Sequence, residues 1–240
     1  MADFLLLHGA WHSASCWNSV ISELTALGHR AVAVNLPGRH NDSTDPRHIS
    51  VQTHASSIRY ALSRLTRPNL IAHSLSGFWA AQAVEEYDGQ LNWLVFLCAY
   101  VPVDGKAAVE IAPLDPEGEV HDAIVVDTES GTSSLDESHN TQDLLYGDCD
   151  TSVAKTALAQ LRPEPVRPAT EPITLSDERF HTTKKAYIEC LRDRVISIGY
   201  QRRMQKHTSF DRVLTMDSDH SPFFSHPEEL GLQLAKLAES

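Results

Sequence analysis

Length, composition and charge place this chain among ordinary globular proteins. Its 240 residues are 42% hydrophobic and 22% charged, enough to bury a large interior as one domain or as a core with an inserted subdomain. The net charge of −12 is concentrated in residues 104–150, which hold 13 acidic residues and one lysine. This acidic segment argues against nucleic acid or an anionic membrane as a partner and is typical of a solvated insertion.

Cysteine placement and the start of the sequence indicate a reducing compartment. The four cysteines are far apart and form no C-x-x-C pair, which favours buried free thiols. The apolar run at residues 4–7 is too short for a signal peptide and has no basic flank. The longest apolar run, residues 93–103, is about half the length of a membrane span. We therefore expect a cytoplasmic protein that does not enter a membrane.

Buried strands alternate with amphipathic helices through most of the chain. The predicted strands are short apolar or alternating runs at residues 4–7, 30–36, 69–72, 91–101, 186–191 and 212–216. The predicted helices have apolar residues at helical spacing near residues 17–27, 58–65, 78–84, 200–205 and 230–237. This order predicts an α/β fold with a mostly parallel sheet, right-handed crossovers and helices on both faces.

Residues 104–183 interrupt the alternation. Six prolines, most of the acidic residues and one clear helix near residues 152–161 fall in this segment. We therefore predict a core of residues 1–103 and 184–240, with residues 104–183 inserted as a cap. Ligands of parallel sheets bind beyond the carboxyl ends of the strands. The loops that follow the strands ending at Leu7, Ala72 and Leu191 should therefore converge beneath the cap.

A serine at a strand-to-helix junction is the first candidate for chemistry. Ser74 lies in Ala72-His73-Ser74-Leu75-Ser76, directly between a predicted strand and a predicted helix. The G-x-S-x-G nucleophile elbow has this form, with small residues where the backbone turns sharply. Here Ala72 and Ser76 replace the outer glycines, so the motif alone is a weak match. An ordinary strand end rich in small residues is the alternative.

A serine nucleophile needs a general base, and His220 is the candidate. It follows the last predicted strand and precedes the last helix, although a plain loop histidine is the alternative. His226, at the start of that helix, is typical of a surface or capping residue. Asp217 and Asp219 are too close to His220 in sequence to orient its ring and are expected to shape its loop.

Two carboxylates compete for the role of the acid that orients the base. Asp193 follows the predicted strand 186–191 and precedes His220 by 27 residues, but its flanking arginines also fit a surface ion-pair cluster. Asp104, after the preceding strand, is the rival. The residues alone leave this choice open.

The oxyanion formed in acyl transfer needs hydrogen-bond donors. The backbone N–H of Leu75, after the nucleophile, and that of Ala10, in the loop after the first strand, are the candidates. His8, at the start of that loop, is expected to pack beneath it and to hydrogen-bond the backbone.

Thirteen histidines raise the question of a metal. The sequence has no H-E-x-x-H motif, and His8 and His12 lie in a loop rather than on one helical face. It also has no phosphate-binding glycine loop and no dinucleotide fingerprint. We expect neither a metal nor a cofactor.

Several motifs occur together along the chain: H-G-A-W-H…C-W at 8–17, A-H-S-L-S-G at 72–77, the segments 144–146 to 161–163 and 187–193, Q-R-R-M at 201–204 and D-H-S-P-F at 219–223. Taken jointly, these motifs resemble one group of α/β-hydrolases, the plant methylesterases and hydroxynitrile lyases with their bacterial esterase relatives. The resemblance covers nearly the whole chain and is weakest at 104–140. It implies the triad Ser74, Asp193 and His220, with Asp193 preferred over Asp104.

The same resemblance implies an oxyanion hole at Ala10 and Leu75 and a cap over the pocket. It also separates esterase from lyase, because lyases of this group resemble a pattern with a threonine at position 9 and a lysine at position 221. This chain has Gly9 and Ser221. It departs from the glycine-rich form of the group at residues 13–15 and at Ser76, where the pocket mouth is shaped.

We therefore expect a serine hydrolase that acts on a small carboxylic ester or lactone through an acyl-enzyme. Cyanohydrin cleavage is one alternative, and a small-molecule receptor on the same fold is another. The expected partner is the small-molecule substrate, without nucleic acid or membrane. The sequence leaves the oligomeric state open, with a homodimer among the allowed states.

Overall fold

The computed structural model describes residues 1–39, 42–136, 138–176 and 178–240. Residues 40 and 41 therefore lie outside the described residues, as do residues 137 and 177 of the predicted cap. In the part of the chain that is described, no helix combines the length and the apolarity needed to cross a bilayer.

Strands and helices alternate along the chain. The strands are β1 Asp3–Leu7, β2 Arg30–Val34, β3 Asn69–His73, β4 Trp93–Leu97, β5 Ile124–Asp127, β6 Thr132–Leu135, β7 Glu164–Pro165, β8 Lys185–Cys190 and β9 Arg212–Met216. The helices are α1 Asn18–Ala26, α2 Val51–Leu62, α3 Ser76–Glu85, α4 Ala108–Ile111, α5 Val120–Ala123, α6 Thr141–Tyr146, α7 Thr151–Gln160, α8 Arg167–Thr170, α9 Ile198–Met204, α10 Pro222–Ser225 and α11 Pro227–Ala238.

Within the described residues, six strands form a central sheet in the order β2-β1-β3-β4-β8-β9, and every neighbouring pair is parallel. Strands β3 and β4 are buried at every position, as expected for apolar runs with helices on both sides. Helices α1 and α11 pack on one face, and α2 and α3 pack on the other. The predicted parallel sheet with helices on both faces is confirmed.

Local sequence signals explain where several elements begin and end. Helix α2 begins after Ser50, whose Oγ accepts a hydrogen bond from Thr53 N at 3.1 Å. Helix α1 ends just before Gly28, which has a φ of 83°, a backbone conformation that glycine adopts without strain.

The predicted strand 91–101 is wrong in length, because the backbone leaves the sheet at Cys98 with a φ of 33°. Residues 98–103 then pass over the start of α3.

Residues 104–183 contain short helices and a small antiparallel sheet with strand order β5-β6-β7. The sequence predicted the helix α7 but not this sheet, because its strands are two to four residues long and β5 is exposed at every position, which leaves no period-two pattern to detect. Side chains of α6 and α7 join the same apolar cluster as α2 and α3. The division into a core and a cap at these boundaries stays a prediction.

Gly77 marks the tightest contact between α3 and the loop that follows β4. A Cβ atom at this position would overlap the backbone carbonyl oxygen of Tyr100 and would lie 3.3 Å from the ring of Phe96. Backbone atoms cannot swing aside as a flexible side chain can. The start of α3 therefore requires a glycine here.

We expect Gly77→Ala to lower the free energy of unfolding by about 1–3 kcal/mol, the usual cost of overpacking. Gly199→Ala in α9 is the control, because a Cβ there meets no atom closer than 3.7 Å. That change should be neutral or stabilise by less than about 1 kcal/mol. Urea denaturation followed by circular dichroism measures both, and equal stabilities of the two variants would contradict this account.

Candidate active site

Ser74 stands at a strained turn between β3 and α3. Its φ is 55°, in the left-handed region that a serine rarely adopts. Neighbouring backbone holds it there: Ser74 N donates to Leu97 O at 3.3 Å, and Tyr100 N donates to Ser74 O at 3.2 Å. Strain of this kind persists only where the surrounding structure fixes it. The geometry is that of the predicted nucleophile elbow.

His220 and Asp193 lie beside Ser74 in one chain of hydrogen bonds. His220 Nε2 is 3.0 Å from Ser74 Oγ, and His220 Nδ1 is 2.8 Å from Asp193 Oδ2. All three residues are buried. Because the carboxylate can only accept, Nδ1 carries the proton and Nε2 is left to accept from the serine hydroxyl. The structure thus brings together the three residues that the sequence proposed as a triad.

Asp193 is fixed by its own loop. Its Oδ1 accepts hydrogen bonds from Val195 N at 2.7 Å and Ile196 N at 2.9 Å, and Gln201 Nε2 donates to its Oδ2 at 3.3 Å. The rival, Asp104, is exposed and accepts a hydrogen bond from Leu175 N at 2.8 Å. Of the two candidate acids, Asp193 is therefore the one that lies against the base.

The loop that carries His220 is shaped by Asp219. Its Oδ1 accepts from Ser221 N at 3.1 Å and from Ser225 Oγ at 2.8 Å, and burial raises the pKa of this carboxyl. Asp219 N donates to Asp148 Oδ2 at 2.7 Å. The prediction that Asp219 shapes the loop of His220 is confirmed. His226 is the residue immediately before α11, as expected for a capping position.

The flanking arginines of Asp193 form the ion pairs that the sequence offered as an alternative. Arg192 pairs with Asp148 at 2.9 Å and with the exposed Asp217 at 2.5 Å, and Arg194 pairs with Glu119 at 2.5 Å. These pairs surround Asp193 without engaging its carboxylate. The surface cluster and the buried acid therefore coexist in one loop.

Ala10 and Leu75 both line the cavity that reaches Ser74. Among the described residues, neither backbone N–H donates a hydrogen bond, so both are available to a ligand. His8 lies beneath this loop, where its Nε2 accepts from Leu36 N at 3.1 Å and its Nδ1–H donates to Gly9 O at 2.9 Å. The structural role predicted for His8 is confirmed.

Two further buried histidines support the site. His12 donates from Nδ1 to Ala10 O at 3.0 Å and accepts from Tyr146 Oη at 2.7 Å, and burial lowers its pKa to about 4. His73 donates from Nε2 to His220 O at 2.8 Å, and burial lowers its pKa well below 6.5. Sequence reasoning did not assign either role, because loop histidines show no periodicity that would reveal their partners.

One cluster resembles a metal site by distance alone. His73, Cys98 and His220 offer ligand atoms within 4.8 Å of one another. Both ring nitrogens of His220 are engaged with Ser74 and Asp193, and His73 Nε2 donates to a carbonyl. Burial also raises the pKa of the Cys98 thiol, which opposes the thiolate that a metal needs. These side chains fit the support of the triad better than a metal.

The cavity above Ser74 has a volume of about 150 Å³ and is partly open to solvent. Its walls are mainly apolar, and residues 104–183 supply most of them. Its lining residues are Ala10, Trp11, Ser74, Leu75, Tyr100, Ala108, Val109, Ala112, Val120, His121, Ile124, Val126, Ser133, Glu164, Pro165, Val166, Ala169 and Val195. A carboxylate, Glu164, stands in this wall and is paired with the buried Arg39. The sequence analysis missed this ion pair, since an acidic residue between two prolines gave no sign of burial.

Comparisons with known proteins agree with this geometry. The profile of the Alpha/beta hydrolase family matches residues 4–231. Methyl jasmonate esterase 1 of Vitis vinifera is 28% identical over 252 residues, which cover 99% of this chain and 97% of that relative. A pyrethroid hydrolase from Sphingobium faniae JZ-2 has a TM-score of 0.88 at 24% identity, covering 100% of this chain and 98% of that chain. A methylesterase from Arabidopsis has a TM-score of 0.83 at 20% identity, covering 100% and 99%. The predicted fold and the predicted likeness to the methylesterase group are confirmed.

The buried histidines predict how stability depends on pH. Burial lowers the pKa of His12 and His54 to about 4, and lowers that of His8 and His73 well below 6.5. Below about pH 6.5 these imidazoles protonate in the unfolded chain but stay neutral in the folded protein. The unfolded state then binds more protons, so the free energy of unfolding should fall as the pH decreases from about 6.5 to about 4.

Each such histidine should contribute a slope of up to about 1.4 kcal/mol per pH unit. Urea denaturation at pH 7.5, 6.0 and 5.0 measures the slope. His54→Gln should reduce it, while His48→Gln, at an exposed position, should leave it unchanged. Constant stability between pH 7.5 and pH 5.0 would show that these histidines are not held neutral.

Proposed function

Because the chain belongs to the alpha/beta hydrolase family, we propose that it hydrolyses a small carboxylic ester or a lactone through an acyl-enzyme. The observation that carries this proposal is the continuous chain of hydrogen bonds from Ser74 Oγ through His220 to Asp193. The Ser74 end of this chain opens into an apolar cavity, where the backbone N–H groups of Ala10 and Leu75 have no partner among the described residues.

In the first half-reaction Ser74 Oγ attacks the carbonyl carbon, and its proton passes to His220 Nε2. Asp193 stabilises the imidazolium that forms. The backbone N–H groups of Ala10 and Leu75 donate to the oxyanion. When the intermediate collapses, the bond between the carbonyl carbon and the alcohol oxygen breaks. His220 Nε2 returns its proton to that oxygen, which releases the alcohol and leaves the acyl group on Ser74.

The second half-reaction reverses these roles with water. His220 Nε2 removes a proton from a water molecule, whose oxygen attacks the acyl carbon. The same two N–H groups hold the second oxyanion. Collapse breaks the bond to Ser74 Oγ, which regains a proton from His220, and the carboxylic acid leaves. With a lactone, the alcohol and the acid leave as one hydroxy acid.

The cavity supports a substrate with a small apolar group. A cavity of about this volume holds a group the size of benzene, and half of its lining residues are alanine or valine. By their names, methyl jasmonate esterase 1 acts on an ester and the pyrethroid hydrolase hydrolyses a pyrethroid. An ester with one short chain or one small ring on the cavity side fits both observations.

Carbon–carbon cleavage is the rival reaction, and the structure argues against it at position 9. A Cβ on Gly9 would lie 2.7 Å from His73 Nδ1 and 2.8 Å from Ser74 Cβ, so there is no room for the threonine of the lyase pattern. Ser221 is completely buried and neutral. It cannot supply the positive charge that a leaving cyanide would need.

A receptor on the same fold is the rival from another class. It would bind the same ligand but would show little or no multiple turnover. The intact alignment of nucleophile, base and acid favours turnover. An assay with excess ester over protein distinguishes the two.

Ser74→Ala should lower kcat for an activated ester by about 10⁴-fold or more, as loss of a triad nucleophile does.

Asp193→Asn should also lower kcat by about 10⁴-fold, because the tautomer of His220 is no longer fixed. Asp104→Asn, at the rival carboxylate, is the control and should change kcat only slightly. Initial rates with p-nitrophenyl acetate, on variants with native circular dichroism, measure all three. Substantial activity of Ser74→Ala, or a larger effect at Asp104 than at Asp193, would overturn the assignment.

Reaction type is tested by offering two substrates to the same preparation. We expect hydrolysis of p-nitrophenyl acetate and negligible cleavage of mandelonitrile. The second reaction should be negligible because position 9 has no hydroxyl and position 221 has no positive charge. Benzaldehyde release, followed by its absorbance, measures the second reaction. Release above the uncatalysed rate that disappears in Ser74→Ala would show that the chain is a lyase.

A further inference from the structure

The loop that carries the oxyanion donor is strained at Trp11. Its φ is 61°, in the left-handed region, where a bulky residue is an outlier. The N–H of Ala10 belongs to the Gly9–Ala10 peptide, which meets the Ala10–Trp11 peptide at Ala10 Cα. A contact that fixes the Trp11 N–H therefore restricts the orientation of that donor. Whatever holds Trp11 in this conformation therefore also aims the oxyanion hole.

Among the described residues, three hydrogen bonds hold Trp11, and their partners all belong to residues 104–183. Its backbone N–H donates to Glu164 Oε2 at 2.9 Å, and its carbonyl accepts from Arg162 N at 2.9 Å. Its indole Nε1–H donates to Ser133 O at 3.2 Å. Only the first of these contacts uses a charged side chain, so it is the one that substitution can test.

The carboxylate of Glu164 is an unusual choice for this task. Glu164 is 6% exposed and lies in the wall of an apolar cavity, where a lone negative charge is costly. It would also repel the oxyanion that forms nearby. Arg39 reduces both the cost of burying this charge and its repulsion of the oxyanion. Its guanidinium pairs with Glu164, and its side chain is only 1% exposed. Arg39 also donates to Pro163 O at 2.6 Å.

We propose that Glu164 is a positioning residue that aims the oxyanion hole through the Trp11 amide, and that Arg39 neutralises its charge beside the oxyanion. A buried ion pair seldom adds stability over an apolar pair of similar volume. The contact of Glu164 with the Trp11 amide gives this ion pair a role other than stabilising the fold. The inference rests on the proposed ester hydrolysis, and it places a determinant of rate in the cap segment.

Glu164→Gln and Glu164→Leu separate positioning from packing. Glutamine keeps an oxygen that can accept from Trp11 N, whereas leucine has a similar volume and no acceptor. We expect Glu164→Leu to lower kcat by about 10²-fold, as a misplaced catalytic group does, with KM changed less than about threefold, since the binding walls persist. Glu164→Gln should stay within about fivefold of the wild-type kcat, since the loss of one charge leaves the acceptor in place.

Removal of Arg39 tests the charge. Arg39→Met leaves an unpaired carboxylate beside the oxyanion and should lower kcat by about tenfold or more. Adding Glu164→Gln to it removes that charge and should restore most of the loss. Arg59→Met, which removes the distant pair between Arg59 and Glu86, is the matched control and should leave kcat unchanged.

Hydrogen exchange at the Trp11 amide does not depend on turnover. It therefore tests the positioning role of Glu164 separately from the proposed ester hydrolysis. Protein labelled with ¹⁵N-tryptophan has four backbone amide signals, and Trp11→Phe identifies that of Trp11. This amide should exchange slowly in the wild type and in Glu164→Gln, and quickly in Glu164→Leu. Loss of wild-type ester turnover in Ser74→Ala judges the proposed function separately. If Glu164→Leu does not fold, Glu164→Met takes its place, because methionine adapts to irregular spaces.

The proposal is overturned if a folded Glu164→Leu keeps the wild-type kcat and slow exchange at Trp11. It is equally overturned if Glu164→Gln loses as much kcat as Glu164→Leu, because the acceptor would then be irrelevant. A fall in thermal stability with an unchanged kcat in every variant would assign the ion pair to folding alone.

Discussion

The left-handed backbone at Ser74 is the constraint on which the site depends. It costs about 1–3 kcal/mol in a residue other than glycine, so it must be held by its surroundings. The loop after β4 supplies that hold, with Leu97 O accepting from Ser74 N and Tyr100 N donating to Ser74 O. The same loop presses its carbonyl oxygen against Gly77. Strand β4 therefore ends early at Cys98 because the chain must cross the start of α3.

Neutral histidines lie near His220, which would accept the proton of Ser74 in the proposed reaction. Burial lowers the pKa of His8, His12 and His73, and each donates one ring N–H to a backbone carbonyl. A positive charge on any of them would oppose the formation of an imidazolium at His220, because like charges repel strongly where water is excluded. By staying neutral they hold backbone carbonyls by hydrogen bonds and would not oppose proton transfer from Ser74 to His220 in the proposed reaction.

Sequence periodicity was sufficient for the core and for the residues at strand ends, because both depend on local pattern. The runs at β3 and β4 and the position of His220 after β9 could be predicted from neighbours in the chain. Glu164, Arg39 and Tyr146 could not, since their roles depend on contacts across more than a hundred residues. The sheet of β5 to β7 was missed because its strands are two to four residues long, and β5 is exposed along its whole length. The cytoplasmic location, the homodimer and the absence of a cofactor stay predictions, because none of the contacts described depends on them.

The acidic segment 104–150 is only partly the solvated insertion that its charge suggested. Three of its carboxylates bind the loop around Asp193: Asp148 pairs with Arg192, Glu119 with Arg194, and Asp115 accepts from Ser197 N and Oγ at 2.7 Å each. The exposed pairs contribute little stability singly, since water screens them. Asp115 differs, because it is buried and accepts two short hydrogen bonds. The loop of Asp193 is therefore held in place by the same segment that forms much of the wall of the cavity above Ser74.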